Sequence, residues 1–377
     1  MAETISLIPS AYKSGRILLT KPANANGTFN YSRSGGKATR IDSNGLLQDV
    51  EADIPIIDYS DGSCPVLLLN ESSTNYFKYS EDLENSNWND PSNKFDLLDE
   101  YTDSPRGGVC KVFNLTETNV TFRFTGFSLD AGTYNMSFWF KDIDGGITSG
   151  GVDIGDEDTG NTTPLLNEVG SKWVRVNRTM TITETKSFAD IRLDFNGSSN
   201  RVGIWGIQIE PKSYMSSYIP TLNGIVETRI GCSSSKQPLT QYINSKEGSI
   251  VIESASLVDD SSFKTFRIKK GSSNTELIFY YSSDNQLGAV QYRINGVDAQ
   301  GSASFVIPNN LQINLFVITY TQTELKIYLN KELKVSTTLS DSFELNDLDN
   351  IVLPQKVKVK RFAVHDKALT QKEIDEL

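Results

Sequence analysis

Short runs of alternating apolar and polar residues, separated by turn residues, recur along most of this 377-residue chain. In the run from Gly132 to Lys141, every second residue from Tyr134 to Phe140 is large and apolar. A period of two is that of a β-strand with one buried face. Turn-forming residues are frequent between the runs, and long apolar patterns of helical period are scarce. The sequence therefore predicts an all-β chain.

A β-hairpin is predicted near the start of the chain. Two short extended runs, Ala38 to Ile41 and Leu46 to Val50, are separated by four residues that include Asn44-Gly45. Asn-Gly is a strong hairpin signal because both residues tolerate a positive φ. Farther along, the apolar run from Cys64 to Leu69 has the length of one buried strand.

Length and strand spacing predict two β-sandwich domains, since domains commonly hold about 150 residues. Residues 75–221 form the first domain, residues 222–247 a connector, residues 248–377 the second domain and residues 1–74 an N-terminal segment with the hairpin. The candidate strands of the first domain are Val109–Phe113, Thr121–Phe127, Gly132–Lys141, Lys172–Ile182, Phe188–Phe195 and Arg201–Glu210. Those of the second are Ser249–Ala255, Phe263–Lys269, Glu276–Tyr281, Ala289–Ile294, Gln312–Thr321, Glu324–Leu329 and Lys356–Val364.

Residues 1–28 carry three apolar clusters but are too few to form a core. We expect this arm to dock on later parts of its own chain, on sister subunits or on another protein, the alternative being a frayed terminus.

The end of the chain predicts a strand followed by a short helix. Alternation places Val357 and Val359 on one strand face and Phe362 on the other, so a β-bulge near Lys360-Arg361 is needed to restore the register. The intervening lysines are expected on the solvated face of an edge strand. Thr370 and Glu373 have the spacing of a helix capping box.

The charge balance is −11, which disfavours nucleic acids and anionic membranes as partners because lysine and arginine carry phosphate binding. Three cysteines, Cys64, Cys110 and Cys232, lack metal-ligand spacing and are expected to be buried reduced thiols. No apolar run is long enough to span a bilayer, and the first residues lack the pattern of a signal peptide, so synthesis in a cytoplasm is expected. A neutral glycan or a protein is the preferred partner.

Catalytic patterns are weak, and the chain is predicted not to be an enzyme. The single histidine, His365, has no nucleophile motif beside it, and no paired carboxylates at strand spacing are found. An acidic stretch offers oxygen ligands that suit calcium, namely Asp142, Asp144, Asp153, Asp156 and Asp158. It lacks EF-hand spacing, so a solvated acidic loop is the preferred interpretation, with calcium as the alternative and no other cofactor expected.

Sugar binding would rely on flat aromatic rings. The candidates are Trp88, Tyr101, Trp139, Tyr280, Tyr281 and Tyr292, although core packing or a subunit contact is the preferred interpretation for each of them. By strand parity Trp139 lies opposite Tyr134 and Met136, so it is expected to be exposed or covered by a partner subunit. Trp173 and Trp205 are expected in the core.

The stretch from Phe29 to Asp82 resembles a segment of tailed-phage virion proteins from Bacteroidetes-type hosts, including crAss-like phages. The likeness rests on Phe29, Ser32-Arg33, Ala38-Thr39-Arg40, Gly45-Leu46, Ile54-Pro55, Asp58-Tyr59, the run from Cys64 to Leu69, Thr74-Asn75 and the run from Tyr79 to Asp82. One extra residue lies between Arg33 and Ala38, and Asn70 stands where the family often has Glu. The resemblance implies a head-fibre, tail-fibre or decoration subunit on the virion surface, made in the bacterial cytoplasm and attached to capsid or tail proteins through residues 1–74.

The later segments resemble two further domain types. The strands around Trp139, Trp173 and Trp205, with the exit Tyr218-Ile219-Pro220-Thr221, are similar to a carbohydrate-binding-module-like jelly roll. The hairpin around Asn330 and the last 20 residues are similar to concanavalin-A-like and laminin-G-like domains. The resemblance to phage fibres implies a homotrimer, and the two domain likenesses imply weak binding of host or mucus glycans through many copies. The alternatives are a binding module of a secreted or surface-bound carbohydrate-active system and a structural decoration without a ligand.

Overall fold

A computed structural model describes residues 3–22, 28–82, 84–89, 93–155, 170–260, 262–281, 287–299 and 303–377. Nearly all of their regular secondary structure is β-strand, which confirms the all-β prediction. The strands are β1 (Glu3–Leu7), β2 (Tyr12–Lys13), β3 (Arg16–Leu18), β4 (Thr28–Ser32), β5 (Ala38–Ile41), β6 (Leu47–Val50), β7 (Ile57–Asp58), β8 (Val66–Leu69), β9 (Ser73–Asn75), β10 (Trp88–Asn89), β11 (Phe95–Asp103), β12 (Val109–Leu115), β13 (Asn119–Phe124), β14 (Gly132–Asp142), β15 (Ile147–Ile154), β16 (Val174–Ile182), β17 (Ala189–Phe195), β18 (Asn200–Glu210), β19 (Glu227–Arg229), β20 (Ser233–Lys236), β21 (Gly248–Ser256), β22 (Lys264–Lys269), β23 (Glu276–Tyr281), β24 (Leu287–Ile294), β25 (Val297–Asp298), β26 (Ser304–Val306), β27 (Asn314–Tyr320), β28 (Glu324–Leu329), β29 (Glu332–Thr338), β30 (Asn350–Leu353) and β31 (Val357–His365). One helix, α1 (Gln371–Asp375), follows β31.

The chain forms two compact units, and one of them is discontinuous. The terminal unit comprises Met1–Gly35, Val50–Glu71 and Ile230–Leu377, and the middle unit comprises Gly36–Asp49 and Ser72–Arg229. Residues 1–74 and 222–247, predicted as a separate segment and a connector, are thus divided between the two units. The physical reason is strand pairing, because β1 and β8 pair with β31 and β4 pairs with β20.

The terminal unit is a sandwich of two antiparallel sheets. One has the strand order β29-β28-β27-β21-β31-β8-β7, with β1 also paired to β31. The other has the order β2-β3-β4-β20-β30-β22-β23-β24-β25, with β26 paired to β24. Their facing side chains form the core, where the rings of Phe279 and Phe316 lie 4.5 Å apart. On the opposite face of the first sheet, Leu369 and Ile374 cover Val251 and Val317.

The middle unit is also a sandwich. A five-stranded sheet (β11-β12-β18-β14-β16) and a four-stranded sheet (β10-β13-β17-β15) enclose a core rich in phenylalanine. In that core the rings of Phe113 and Phe122 lie 5.0 Å apart. The hairpin β5–β6 forms as predicted, with Gly45 at φ +80° and Asp42 Oδ1 accepting the Asn44 and Leu46 backbone N–H groups.

Strand β14 differs from its predicted one-faced burial, because its side chains are buried on both faces from Tyr134 to Phe140. Trp139 lies against Trp205 and Tyr218, with ring centroids 5.3 and 5.0 Å away. The residues after β18 therefore cover the second face of the sheet. Alternation in the sequence indicates only which residues share a strand face. It cannot predict that another segment packs on the second face.

The end of the chain confirms three local predictions. The register of β31 against β21 skips Lys360, as the predicted bulge requires. Thr370 and Glu373 form the capping box of α1. Asn330 and Lys331 turn the β28–β29 hairpin with φ of +50° and +73°. However, β31 pairs on both sides and is not an edge strand, so the lysine positions reflect a solvated face only.

The cysteine prediction is corrected at one position. Cys110 and Cys232 are buried, but Cys64 is exposed because it lies in the turn before β8. Burial raises the pKa of the Cys110 thiol to about 12. The Tyr31 hydroxyl donates to Cys232 Sγ at 3.1 Å.

Gly206 allows Trp139 to pack closely, and this predicts a measurable cost of substitution. Gly206 has φ +68°, and a Cβ there would lie 2.6 Å from Trp139 Cε3. Gly45 has φ +80° with nothing within 4 Å, so it is a matched control. We expect Gly45→Ala to cost about 1–2 kcal/mol of unfolding free energy from backbone strain. Gly206→Ala should cost about 1–3 kcal/mol more from overpacking. Equal losses in urea denaturation would contradict the close packing.

Candidate functional site

A polar cleft of about 370 Å³ opens in the terminal unit, at the β2 end of the sheet that also contains β20. Eight residues line it: Lys13, Arg16, Thr28, Asn30, Lys236, Gln237, Pro238 and Gln241. Volumes of this order accommodate small ligands. The lining side chains are nearly all polar, and three are cationic.

The register of β2, β3 and β4 places Lys13, Arg16 and Asn30 in one row across the sheet. Lys13 pairs with Arg16 across the β2–β3 turn, and Arg16 pairs with Asn30 on β4. The intervening turn contains Gly15 at φ +69°, which favours glycine. Paired residues in an antiparallel sheet have Cβ atoms only about 5 Å apart and project on the same face. Phe29 and Ile17, from the alternate row, are buried in the sandwich core.

Lys236 completes the cleft from the end of β20. Its side chain is only 5% exposed, and its ammonium donates to the Thr28 carbonyl at 3.0 Å. Burial, and to a smaller extent the charge of Arg16, lowers the pKa of Lys236 below its usual value. The Arg16 guanidinium in turn donates to Asn30 Oδ1. Strand pairing and these contacts hold the positive charges at the cleft.

The chemistry of the lining suits contact with a polar ligand. It offers ammonium, guanidinium, amide and hydroxyl groups, which can donate to the oxygen atoms of a ligand. The eight lining residues include no carboxylate, cysteine or histidine that could act as acid, base or nucleophile.

Sequence reasoning did not identify this cleft, because its residues come from two stretches about 200 positions apart. The available local signal was Lys13-Ser14-Gly15-Arg16, in which two cations flank a two-residue turn. A hairpin at that turn would place the cations directly opposite each other.

Three of the predicted sugar-binding aromatics are core residues in the structure, and the prediction is corrected for them. Trp139 is 7% exposed, and Arg175 covers one ring face at 4.7 Å. Tyr281 is buried with its hydroxyl 2.8 Å from Ser254 Oγ. Tyr292 is buried and stacks on Phe343 at 3.8 Å. An enclosed ring offers no face to a sugar.

The other three aromatics keep some exposure, and each lies on a strand of a different sheet. Trp88 is half-buried, with its ring 4.2 Å from that of Phe124. Tyr101 is 53% exposed and lies under the Lys111 ammonium at 4.5 Å. Tyr280 is half-buried against Phe263 in the terminal unit. Of the two tryptophans expected in the core, Trp205 is buried and Trp173 is half-buried.

The acidic stretch is held by protein donors where the structure describes it. Asp142 is buried and accepts the backbone N–H groups of Gly145 and Ile147 at 2.8 and 3.0 Å. Asp144 pairs with Arg201, whose hydrogen bonds lower the pKa of its carboxyl. Asp153 lies on β15, not in a loop, and pairs with Arg192 at 2.8 Å. Asp156 and Asp158 lie outside the described residues.

The described residues show neither a metal-binding cluster nor a membrane-spanning helix. They contain no group of three or more His, Cys, Asp or Glu side chains that could hold a metal ion. Their single helix is too short to cross a membrane.

No protein-family model and no curated protein sequence matches the chain. Among solved structures, the receptor-binding domain of botulinum neurotoxin mosaic serotype C/D matches 39% of this chain and 39% of its own length, with 16% identity and a TM-score of 0.33. A carbohydrate-binding module from the Ruminococcus gnavus IT-sialidase, bound to α2,3-sialyllactose, matches 37% of this chain and 88% of its own length, with 14% identity and a TM-score of 0.30. The Caenorhabditis elegans galectin LEC-6 matches 32% and 84%, with 15% identity and a TM-score of 0.26. Similarity at this level identifies neither a family nor a ligand.

The burial of Trp139 predicts the outcome of its removal. Trp139→Ala should lower the unfolding free energy by about 3–5 kcal/mol, as for other large-to-small core changes. Tyr101→Ala, at an exposed aromatic of the same unit, should change it by no more than about 0.5 kcal/mol. Thermal and urea denaturation measure both variants. A Trp139→Ala protein as stable as the wild type would show that the ring is not part of the core.

Proposed function

We propose that this chain is a non-enzymatic glycan-binding subunit of a phage virion surface. The observation that carries the binding part is the polar cleft between β2 and β20 in the terminal unit. Its lining supplies several hydrogen-bond donors and contains no carboxylate, cysteine or histidine, which suits retention of a ligand. Amide side chains can donate and accept at once, as sugar hydroxyl groups require.

The virion part of the proposal is supported by the sequence resemblance. It places the protein on the particle surface as a head fibre, tail fibre or decoration, assembled as a homotrimer. Residues 1–74 would contact capsid or tail proteins. Within them, Ile8 is a large apolar residue that is 43% exposed just after β1, so it is available for such a contact.

Weak binding sites of this kind gain overall affinity when many copies of the subunit bind at the same time. A cleft that is open to solvent leaves part of the ligand hydrated, which favours modest affinity for one copy. Several linked copies convert later binding events into intramolecular ones and raise the overall avidity by orders of magnitude. Attachment would then depend on the number of subunits on the particle and on the density of glycans on the host surface.

A cleft-blocking substitution tests the binding site without changing its charge. Gln241→Trp should fill part of the cleft and weaken retention on host surface polysaccharide at least about tenfold, since it excludes the ligand sterically. Gln312→Trp, at an exposed position elsewhere in the terminal unit, is the matched control and should bind as the wild type does. Equal retention of both variants in a pull-down would place any glycan site elsewhere.

Particle analysis tests the virion assignment. Cryo-electron microscopy of phage particles should show projecting density for three copies, and the purified protein should have three times the chain mass in solution. Ile8→Asp should reduce incorporation, whereas Leu345→Asp, at another exposed apolar residue, should not. A monomer absent from particles would instead favour a binding module of a carbohydrate-active system. Particle incorporation without glycan retention would indicate a structural decoration.

A further inference from the structure

We propose that the cleft is built for an acidic saccharide, with Lys13, Arg16 and Lys236 surrounding an anionic group on the sugar. This inference rests on the proposed glycan binding and names the chemical class of the ligand. It differs from the neutral glycan that the overall charge of the chain favours.

The pairing of Lys13 with Arg16 is the first observation. The two cations lie directly opposite each other in the β2–β3 register, and like charges in that arrangement destabilise a sheet. Within the described part of the chain, no carboxylate lies within 4 Å of either side chain to offset the repulsion. A bound anion between them would remove the cost, because it forms charge-assisted hydrogen bonds with both.

The burial of Lys236 is the second observation. An ammonium that is taken out of water loses hydration free energy, and a nearby cation increases that cost. Here the Arg16 charge and burial both disfavour the charged form of Lys236. An anion in the cleft would stabilise the charged ammonium of Lys236. Ligand binding would therefore offset the free-energy cost of burying that charge.

The size and the neutral part of the lining select a saccharide over a small inorganic anion. About 370 Å³ is larger than one sulfate or phosphate needs, and it fits a sugar ring with its substituents. Asn30, Gln237 and Gln241 supply amides for hydroxyl groups beside the three cations. The net charge of −11 disfavours ligands that carry negative charge far beyond the cleft, as a nucleic acid does, and favours a short acidic saccharide.

Two ligands that differ only in charge give a direct test. Isothermal titration calorimetry would compare oligogalacturonide with its methyl ester, and hyaluronan oligosaccharide with its methyl ester. Heparin oligosaccharide and single-stranded DNA serve as sulfated and nucleic-acid probes. We expect at least one carboxylated probe to bind at least about tenfold tighter than its ester. A preference for heparin would assign the anionic group to sulfate, within the same class, and a preference for DNA would overturn the proposal.

The double variant Lys13→Gln/Arg16→Gln tests whether the cleft is responsible. It should lose most of the preference for an acidic oligosaccharide over its ester, because only Lys236 keeps its charge in the cleft. Its melting temperature should equal or exceed that of the wild type, since the repulsion is removed. Lys372→Gln, an exposed lysine on α1, is the matched control and should keep the preference for acid.

Two results would overturn the inference. One is equal affinity of the wild type for acids and esters, and the other is an unchanged acid preference in the double variant. If Gln241→Trp still abolishes binding in either case, the cleft binds glycans without the charge recognition proposed here, and the proposed function stands. If no saccharide responds to Gln241→Trp, the proposed function fails as well.

Discussion

The pairing of β31 with strands from distant parts of the chain organises the terminal unit. Within nine residues, β31 forms hydrogen-bonded ladders with β1, β8 and β21. The bulge at Lys360 keeps Val357, Val359, Phe362 and Val364 buried along its whole length. The apolar runs near the N-terminus are therefore buried in a sheet that is completed only by the end of the chain. The cleft likewise depends on pairing between distant segments, because β2, β3 and β4 join the facing sheet through β20.

Local features of the fold could be predicted from the sequence, whereas pairing between distant segments could not. The boundaries of β23 and β28, the hairpin turn at Asn330-Lys331 and the bulge in β31 each follow from residues within a few positions of one another. The division of residues 1–74 between two units depends on which distant strand each segment pairs with. Alternation specifies the face of a strand but not its partner. The burial of Trp139 under Tyr218 was missed for the same reason.

The residues that carry the family resemblance hold the fold together in this structure, and the candidate site uses others. Asn75 is buried, donates to the carbonyls of Ile207 and Ile219 and accepts the N–H groups of Phe77 and Ile209. Arg33 is buried and donates to the Gly35 and Val50 carbonyls at 3.2 and 2.7 Å. These motif residues stabilise the backbone of the fold. The motif therefore gives no information about the cleft residues Lys13, Arg16 and Lys236. Only the three-dimensional register brings those cations together.

The discontinuity of the terminal unit also orders events during synthesis on the ribosome. All strands of the middle unit lie between Ala38 and Arg229, so they leave the ribosome well before β31. In contrast, β1 acquires its partner only after about 360 further residues have been made, and long-range pairing of this kind is slow. During that interval β1 and β8 both lack their β31 partner and leave an apolar strand edge open, which is a condition under which nascent chains aggregate. Polysomes that translate this protein should therefore need chaperone protection over most of the message.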